Sequence, residues 1–240
     1  MDELELASLA DNEEFHWWFI ERRNLLRVWA SELSADTNIL DIGAGVGTQS
    51  RLLKDEFGFH VIAVEQSTYG SKKCREKGLE TLQENVIELS LDNETIGAAI
   101  AMDVLEHVQE DVKALSEIYR VLKADGIFFI TVPAFQFMWS KHDEAVKHIR
   151  RYSKREITQK LGENGFLVTN IRYWNSILFP LALIKRFFNL GKSDLNAPPR
   201  IINYILTRVI RIERKNKYYG YFPGTSIILT ARKIGKNESF

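Results

Sequence analysis

With 32 basic residues against 32 acidic ones in 240, the chain has no formal net charge, which argues against a general nucleic-acid binder. Its 45% hydrophobic content is that of a globular protein, and a chain this long can bury about 70–75% of its unfolded surface. A single cysteine, Cys74, excludes an internal disulfide and fits a reducing, cytoplasmic setting.

The acidic start, Met1-Asp2-Glu3-Leu4-Glu5, lacks the charged-then-apolar pattern of a secretory leader. Residues 12–33 read as an amphipathic helix. Phe15, Trp18, Phe19, Leu26, Trp29 and Leu33 recur near three-to-four spacing, and Asp11 with Glu14 resembles a capping box. From residue 38 strand and helix alternate. Strands are expected at Ile39–Ile42, His60–Val64, Leu79–Leu82, Ala98–Met102 and Ile127–Val132, with helices at Thr48–Glu56, Ser67–Lys77 and Asp111–Leu122. Such alternation predicts a parallel sheet covered by helices on both faces. Residues 134–152 have no clear period and read as an ordered insertion. A helix over Ser153–Glu163 follows, opened by a Ser153-x-x-Glu156 capping box, then a strand beginning at Gly165. Ile177–Asn189 and Ile201–Ile212 are expected helices separated by Pro198-Pro199, and Ser226–Ala231 is a final strand. The longest apolar run, Ile177–Ile184, is broken by Pro180 and far short of the ~20 residues that span a bilayer. No linker separates two domains, so a single domain over 1–240 is expected.

The most informative stretch runs from Asn38 to Thr48: a short apolar run, an acid, then Gly43, Gly45 and Gly47 at alternate positions. It reads as a buried strand entering a tight turn, where glycine lets the backbone approach a ligand closely. Asp41 sits at the strand's carboxyl end, where open α/β sheets bind ligands. Two ligand classes use such a loop. A dinucleotide expects Gly-x-Gly-x-x-Gly, but the last position of that pattern is Thr48. It also brings a pyrophosphate, which Asp41 would repel, whereas a sulfonium or ammonium suits that acid. Glu65 ends the second strand 22 residues after Gly43, placed to accept ribose hydroxyls in either class.

Asp41, Gly43, Gly45 and Gly47 match residue by residue the Asp-x-Gly-x-Gly-x-Gly loop of class I methyltransferases, which use S-adenosylmethionine. Met102-Asp103-Val104-Leu105-Glu106-His107-Val108 resembles the Asp-Val-Leu-Glu-His-Val signature of the methyltransferase-11-like small-molecule enzymes. Ile118 to Gly126 resembles that group's connection into strand five, with Asp125-Gly126 in place of Pro-Gly. The resemblance covers about residues 36–170. It implies an α/β, Rossmann-like, doubly wound and mostly parallel seven-stranded sheet with added N-terminal and C-terminal helices. It further implies that S-adenosyl-L-methionine is held by Asp41, Gly43, Ala44, Gly45, Gly47 and Thr48 of the loop and by Glu65 and Gln66. Glu84, Asn85 and Val86 after strand three, and Asp103, Val104 and Leu105 after strand four, complete the set. S-adenosyl-L-homocysteine would be the product. The lid helix (11–35) would bring Trp18 and Arg22, with an Arg near the cofactor's carboxylate; residues 36–135 would form the cofactor core.

The pair Glu106-His107 suits catalysis by residue type but equally suits orienting the loop and capping the next helix. The insertion over 136–153 lies where this fold places its acceptor. There His148 is a candidate base, Asp143 its orienter, Arg151 an anion clamp and Tyr152 a hydrogen-bond donor. The competing reading is an internally paired loop, with Asp143 or Glu144 bridging Arg150 or Arg151. No metal is expected. Residues 174–217 mix apolar and basic side chains, fitting either peripheral membrane contact through 177–215, with a lipid-linked acceptor, or a helical cap or dimer interface. The expected activity is methyl transfer to an oxygen or nitrogen of a small-molecule, glycan or lipid-linked acceptor. A cofactor-binding regulator without turnover, and an NAD-type oxidoreductase, are the alternatives.

Overall fold

A computed structural model describes residues 13–187, 198–216 and 220–235. After helix α1 (Trp17–Ala30), strand and helix alternate through β1 (Asn38–Ile42), α2 (Thr48–Phe57), β2 (His60–Val64), α3 (Thr68–Glu76), β3 (Glu80–Leu82) and β4 (Ile96–Met102). A 3-10 turn (Leu105–His107) leads into α4 (Asp111–Val121) and β5 (Leu122–Pro133). Then come a second 3-10 turn (Gln136–Met138), α5 (Lys141–Ala145), α6 (Lys154–Glu163), β6 (Phe166–Trp174), α7 (Phe179–Phe187), α8 (Arg200–Lys215) and β7 (Ser226–Lys233).

The strands form one sheet in the order β3-β2-β1-β4-β5-β7-β6. β1 to β5 run parallel, and β7 inserts antiparallel between β5 and β6. Strand alternation divides the core. Leu40 and Ile42 face α4 and α6 through Ala114, Leu115, Ile118, Ile157 and Leu161, while Ile39 faces α1, α2 and α8 through Leu26, Trp29, Leu53 and Ile210. Strand order reverses between β1 and β4. Their carboxyl ends therefore open the crevice in which such sheets bind ligands.

Several boundaries differ from the sequence reading. Helix α1 begins at Trp17, because His16 is its cap: Trp18 N–H donates to His16 Nδ1 at 3.1 Å. Asn203 of α8 pins the same end, accepting from Trp17 N–H at 2.8 Å and donating to Phe15 O at 2.5 Å. The expected cap Asp11 lies outside the described residues. The turn expected at Lys123–Gly126 is instead a kink inside β5, where Leu122 already pairs with Ile96 and Asp125 adopts φ +61°. In the C-terminal region α7 begins at Phe179 and α8 ends at Lys215. The expected helix end at Asn189 lies outside the described residues. Among the described residues no helix is long and apolar enough to cross a membrane.

Candidate active site

The loop between β1 and α2 carries all three glycines in the left-handed region, with φ of 65°, 58° and 78° at Gly43, Gly45 and Gly47. A Cβ on Gly43 would come within 2.7 Å of Val104 Cγ2. Glu65 fixes the loop from beside it, Oε2 accepting from Gly45 N–H at 2.9 Å and Oε1 from Ser67 N–H at 2.8 Å. A glycine in α3 makes this approach possible, since a Cβ on Gly70 would meet Gly45 O at 2.6 Å and Glu65 Cγ at 2.7 Å. Beneath the loop, Cys74 is buried and burial pushes its thiol pKa up to about 12, so it packs rather than reacts.

A cavity of about 1330 Å³ opens over the carboxyl ends of β1, β2 and β4. Of the residues singled out from sequence, Gly43, Ala44, Gly45, Glu65, Gln66, Glu84, Asn85, Val86, Asp103 and Val104 line it, as do Trp18, Arg22 and His148. Glu84 is engaged by Ser90, from Oγ at 2.5 Å and N–H at 3.0 Å, while Asn85 Oδ1 accepts from its own loop's Ile87 N–H at 3.2 Å. Gly47, Thr48 and Leu105 sit behind the wall. Gly47 caps α2, Thr48 pairs with Glu13, and Leu105 is fully buried in the core.

Asp41 requires a correction. It does not face the cavity: it is buried beneath the loop, where Ser50 Oγ donates to it at 2.5 Å. Burial, with a smaller push from Glu65, raises its pKa to about 7. Its place is under the glycine loop and the first turn of α2.

Arg22 crosses from α1 over the end of β4. Its Nη2 pairs with Asp103 Oδ2 at 2.6 Å and also donates to Thr131 Oγ1, which in turn meets Asp103 Oδ1 at 3.2 Å. The guanidinium sits 5.8 Å from the ring centres of both Trp18 and Trp174. Its Nη1 is buried and has no hydrogen-bond partner in the protein. An unpaired guanidinium N–H on a residue of the cavity wall fits an anionic ligand group.

The insertion is strapped down by its own side chains, which is why it shows no period. Ser140 and Asp143 close a capping box on α5, Ile149 N–H donates to Glu106 O at 2.9 Å, and Tyr152 pairs with Pro133 and Phe135. Asp143 is fully buried at the hub, 2.9 Å from His148 Nδ1, 2.7 Å from Arg151 Nε and 3.1 Å from Arg186 Nη1. Burial alone would raise its pKa, but the His148 hydrogen bond and the Arg151 charge outweigh that and hold the carboxyl well below its usual range. An ionised carboxylate only accepts, so Nδ1 of His148 carries the proton and Nε2 is turned toward Glu106, 3.7 Å away. Arg151 is thus committed to Asp143, and Arg150 bridges Asp111 at 2.9 Å.

Tyr152 requires a second correction. It is fully buried, and its hydroxyl donates within the core, with Asp111 Oδ2 at 2.8 Å and Leu105 O at 3.1 Å. It braces the insertion against α4 and cannot reach an acceptor in the cavity. Sequence reasoning left Glu106 undecided. The structure places it on the cavity wall, fully buried, with neither carboxylate oxygen hydrogen-bonded. Burial, with the neighbouring Asp103 charge, pushes its pKa well above the usual carboxylate range. Met102 and Trp139 also line the cavity, as do Gln49 and Asn175, which carried no local signal.

Residues 40–130 match the family described as "Methyltransferase domain". The chain is 24% identical over 159 residues to a protein of Mycolicibacterium smegmatis described as a probable S-adenosylmethionine-dependent methyltransferase, an overlap covering 65% of this chain and 61% of that one. Over these residues the chain is similar to class I S-adenosylmethionine-dependent methyltransferases. It spans about 60% of the length of the curated relatives it matches first. A SAM-dependent methyltransferase from Archaeoglobus fulgidus superposes with a TM-score of 0.62 at 19% identity, covering 93% of this chain and 98% of its own. The [4+2]-cyclase SpnF gives the same score at 20% identity, covering 89% and 81%. Likenesses at this identity speak to the fold alone, and the cyclase shows that the methyltransferase fold does not by itself fix a reaction.

S-adenosylmethionine is the cofactor of this family, and the donor set fits it. Glu65 and the glycine loop suit the adenosine part, the orphaned Arg22 Nη1 suits a carboxylate, and Asp103 suits an ammonium. No helix-terminal phosphate cradle is needed, because the cofactor carries no pyrophosphate.

Proposed function

We propose that the protein transfers a methyl group from S-adenosylmethionine to an oxygen or nitrogen of a small-molecule, glycan or lipid-linked acceptor. The observation that carries this reading is the single cavity of about 1330 Å³ running from the glycine loop and Glu65, past Arg22 and Asp103, to His148 and Trp139. That volume exceeds what one small ligand fills and gives room for donor and acceptor together. When bound, S-adenosylmethionine supplies an electrophilic methyl on a sulfonium sulfur. Arg22 and Glu65 hold the two ends of the cofactor, and the α1 aromatics close over it and exclude water. At the far end His148 lines the cavity, held at Nδ1 by Asp143 and keeping its Nε2 lone pair on the side of Glu106. In a metal-free site that lone pair takes the acceptor's proton as the methyl is transferred. Asp143 is the orienting residue.

Incubating the protein with methyl-labelled S-adenosylmethionine and fractionated cell extract, then identifying the labelled product by mass spectrometry, tests the proposal. Labelled product in a heat-stable small-molecule, glycan or lipid fraction supports it. Cofactor binding without turnover on any fraction favours a regulator.

The lipid-linked acceptor has its own observation. On α8, Ile201, Ile202, Tyr204, Ile205 and Ile212 are exposed beside Arg208, and on α7 Leu181, Leu183 and Ile184 are exposed beside Lys185. Leu181, Ala182 and Leu206 of the same helices also border the cavity. An apolar, basic surface around the mouth suits a protein that works on the cytoplasmic membrane face. Co-sedimentation with anionic vesicles, lost in an Ile201→Glu/Ile205→Glu variant, supports this; equal binding by both proteins refutes it.

A further inference from the structure

We propose that Glu106, His107 and His148 form a binding site for one divalent transition-metal ion at the acceptor end of the cavity. Their candidate ligand atoms all lie within 4.8 Å of one another. Ligands on a sphere of ~2.1 Å around an ion lie ~3–4 Å apart, so side-chain movement of about 1 Å closes the site. All three residues line the cavity, which leaves positions on the ion open to solvent or substrate.

Three features separate this cluster from an incidental one. First, Glu106 is fully buried and both its oxygens lack a donor. A buried carboxyl whose oxygens accept no hydrogen bond is costly, and a divalent cation would give those oxygens a ligand role. Second, both imidazoles are set up as ligands. His148 Nδ1 is held by Asp143 Oδ1 at 2.9 Å and His107 Nδ1 by Lys147 O at 3.3 Å. Both partners accept hydrogen bonds, so each ring carries its proton on Nδ1 and offers Nε2. Outer partners of this kind orient metal-bound histidines. Third, the backbone brings the ligands together deliberately. Lys147 holds a left-handed φ of 56°, and Ile149 N–H donates to Glu106 O at 2.9 Å, tying the His148 segment to the Glu106 turn.

Two imidazoles and one carboxylate select zinc, iron(II), cobalt(II) or manganese(II) over calcium or magnesium. An ion with open positions would orient an oxygen of the acceptor, a consequence that rests on the methyl-transfer reading. His148 is then a ligand, and the ion rather than the ring favours loss of the acceptor's proton.

The test uses the full chain without an affinity tag, stripped by a chelator and titrated calorimetrically with zinc chloride and with cobalt chloride. One ion per chain at micromolar affinity or tighter is expected, weakened at least tenfold in both Glu106→Gln and His148→Ala and unchanged in His60→Ala. No binding, or equal affinity in a Glu106→Gln/His148→Ala double variant, overturns the site. A measurement on the unmodified chain covers variants that fail to fold. On zinc addition, nitrogen NMR of the imidazoles is expected to show Nε2 of His107 and His148 shifting, and shifts confined to other histidines would refute the proposal. S-adenosylhomocysteine binding by the stripped protein is measured alongside. Its loss would count against the cofactor reading, whereas loss of metal binding alone would not.

Discussion

Asp41 offers a quantitative test of the buried layer beneath the glycine loop. The carboxyl is 3% exposed, Ser50 Oγ donates to it at 2.5 Å, and burial raises its pKa from 3.8 to about 7. A group whose folded pKa lies above its unfolded one favours folding in its protonated form. Its contribution is therefore complete below about pH 4 and is lost as pH rises through about 7. The difference between 3.8 and about 7, at 1.36 kcal/mol per unit, sets a loss of up to about 4 kcal/mol across that window. Asp41→Asn removes the titration and keeps an oxygen to accept from Ser50. Urea unfolding of both proteins without cofactor, at intervals from pH 4 to 8, isolates the term as the difference between two curves. The variant should gain on the wild type progressively, by about 2–4 kcal/mol over the window. Parallel curves, within about 0.5 kcal/mol, would show that Asp41 stays ionised and that its burial has been misread. Since Asp41 lies behind the cavity wall, the same variant should bind S-adenosylhomocysteine within tenfold of the wild type at pH 7.

Three further outcomes follow from the site. Arg22→Met removes the orphaned Nη1 donor and the 2.6 Å partner of Asp103, so calorimetry should show S-adenosylhomocysteine binding weakened at least tenfold; unchanged affinity would mean that Nη1 serves no ligand. Gly70→Ala would put a methyl 2.6 Å from Gly45 O and should displace the loop, weakening the same binding at least tenfold without loss of secondary structure by circular dichroism. Tyr152→Phe deletes the hydrogen bonds to Leu105 and Asp111 and should cost about 1–3 kcal/mol in chemical denaturation. Its methyl-transfer rate per folded molecule should be unchanged, and a hundredfold fall in kcat would return Tyr152 to the chemistry.

What the sequence made legible was local. Ile39–Ile42 and Ala98–Met102 announce buried strands by apolar runs, and the spacing of Gly43, Gly45 and Gly47 announces a loop that only glycine can make. Features that depend on distant partners were not legible. Tyr152 reads as a donor beside histidines, and only its contacts with Asp111 and Leu105, 41 and 47 residues away, show it to be a brace. The start of α1 depends on Asn203, 186 residues from Trp17. Glu106 was ambiguous for the same reason. Its unpaired, buried state is set by His148 and the insertion packed around it. Gly70 reads as a poor helix residue, and its use appears only once Gly45 and Glu65 are seen pressed against it.

The central claim is that the cavity over the glycine loop is built for S-adenosylmethionine. Calorimetric titration of the wild type and of Glu65→Ala with S-adenosylhomocysteine and with NAD tests it most directly. The account predicts one S-adenosylhomocysteine bound per chain, no comparable binding of NAD, and at least a tenfold loss of affinity in Glu65→Ala. Preferential binding of NAD, or S-adenosylhomocysteine affinity indifferent to the loss of Glu65, would contradict it.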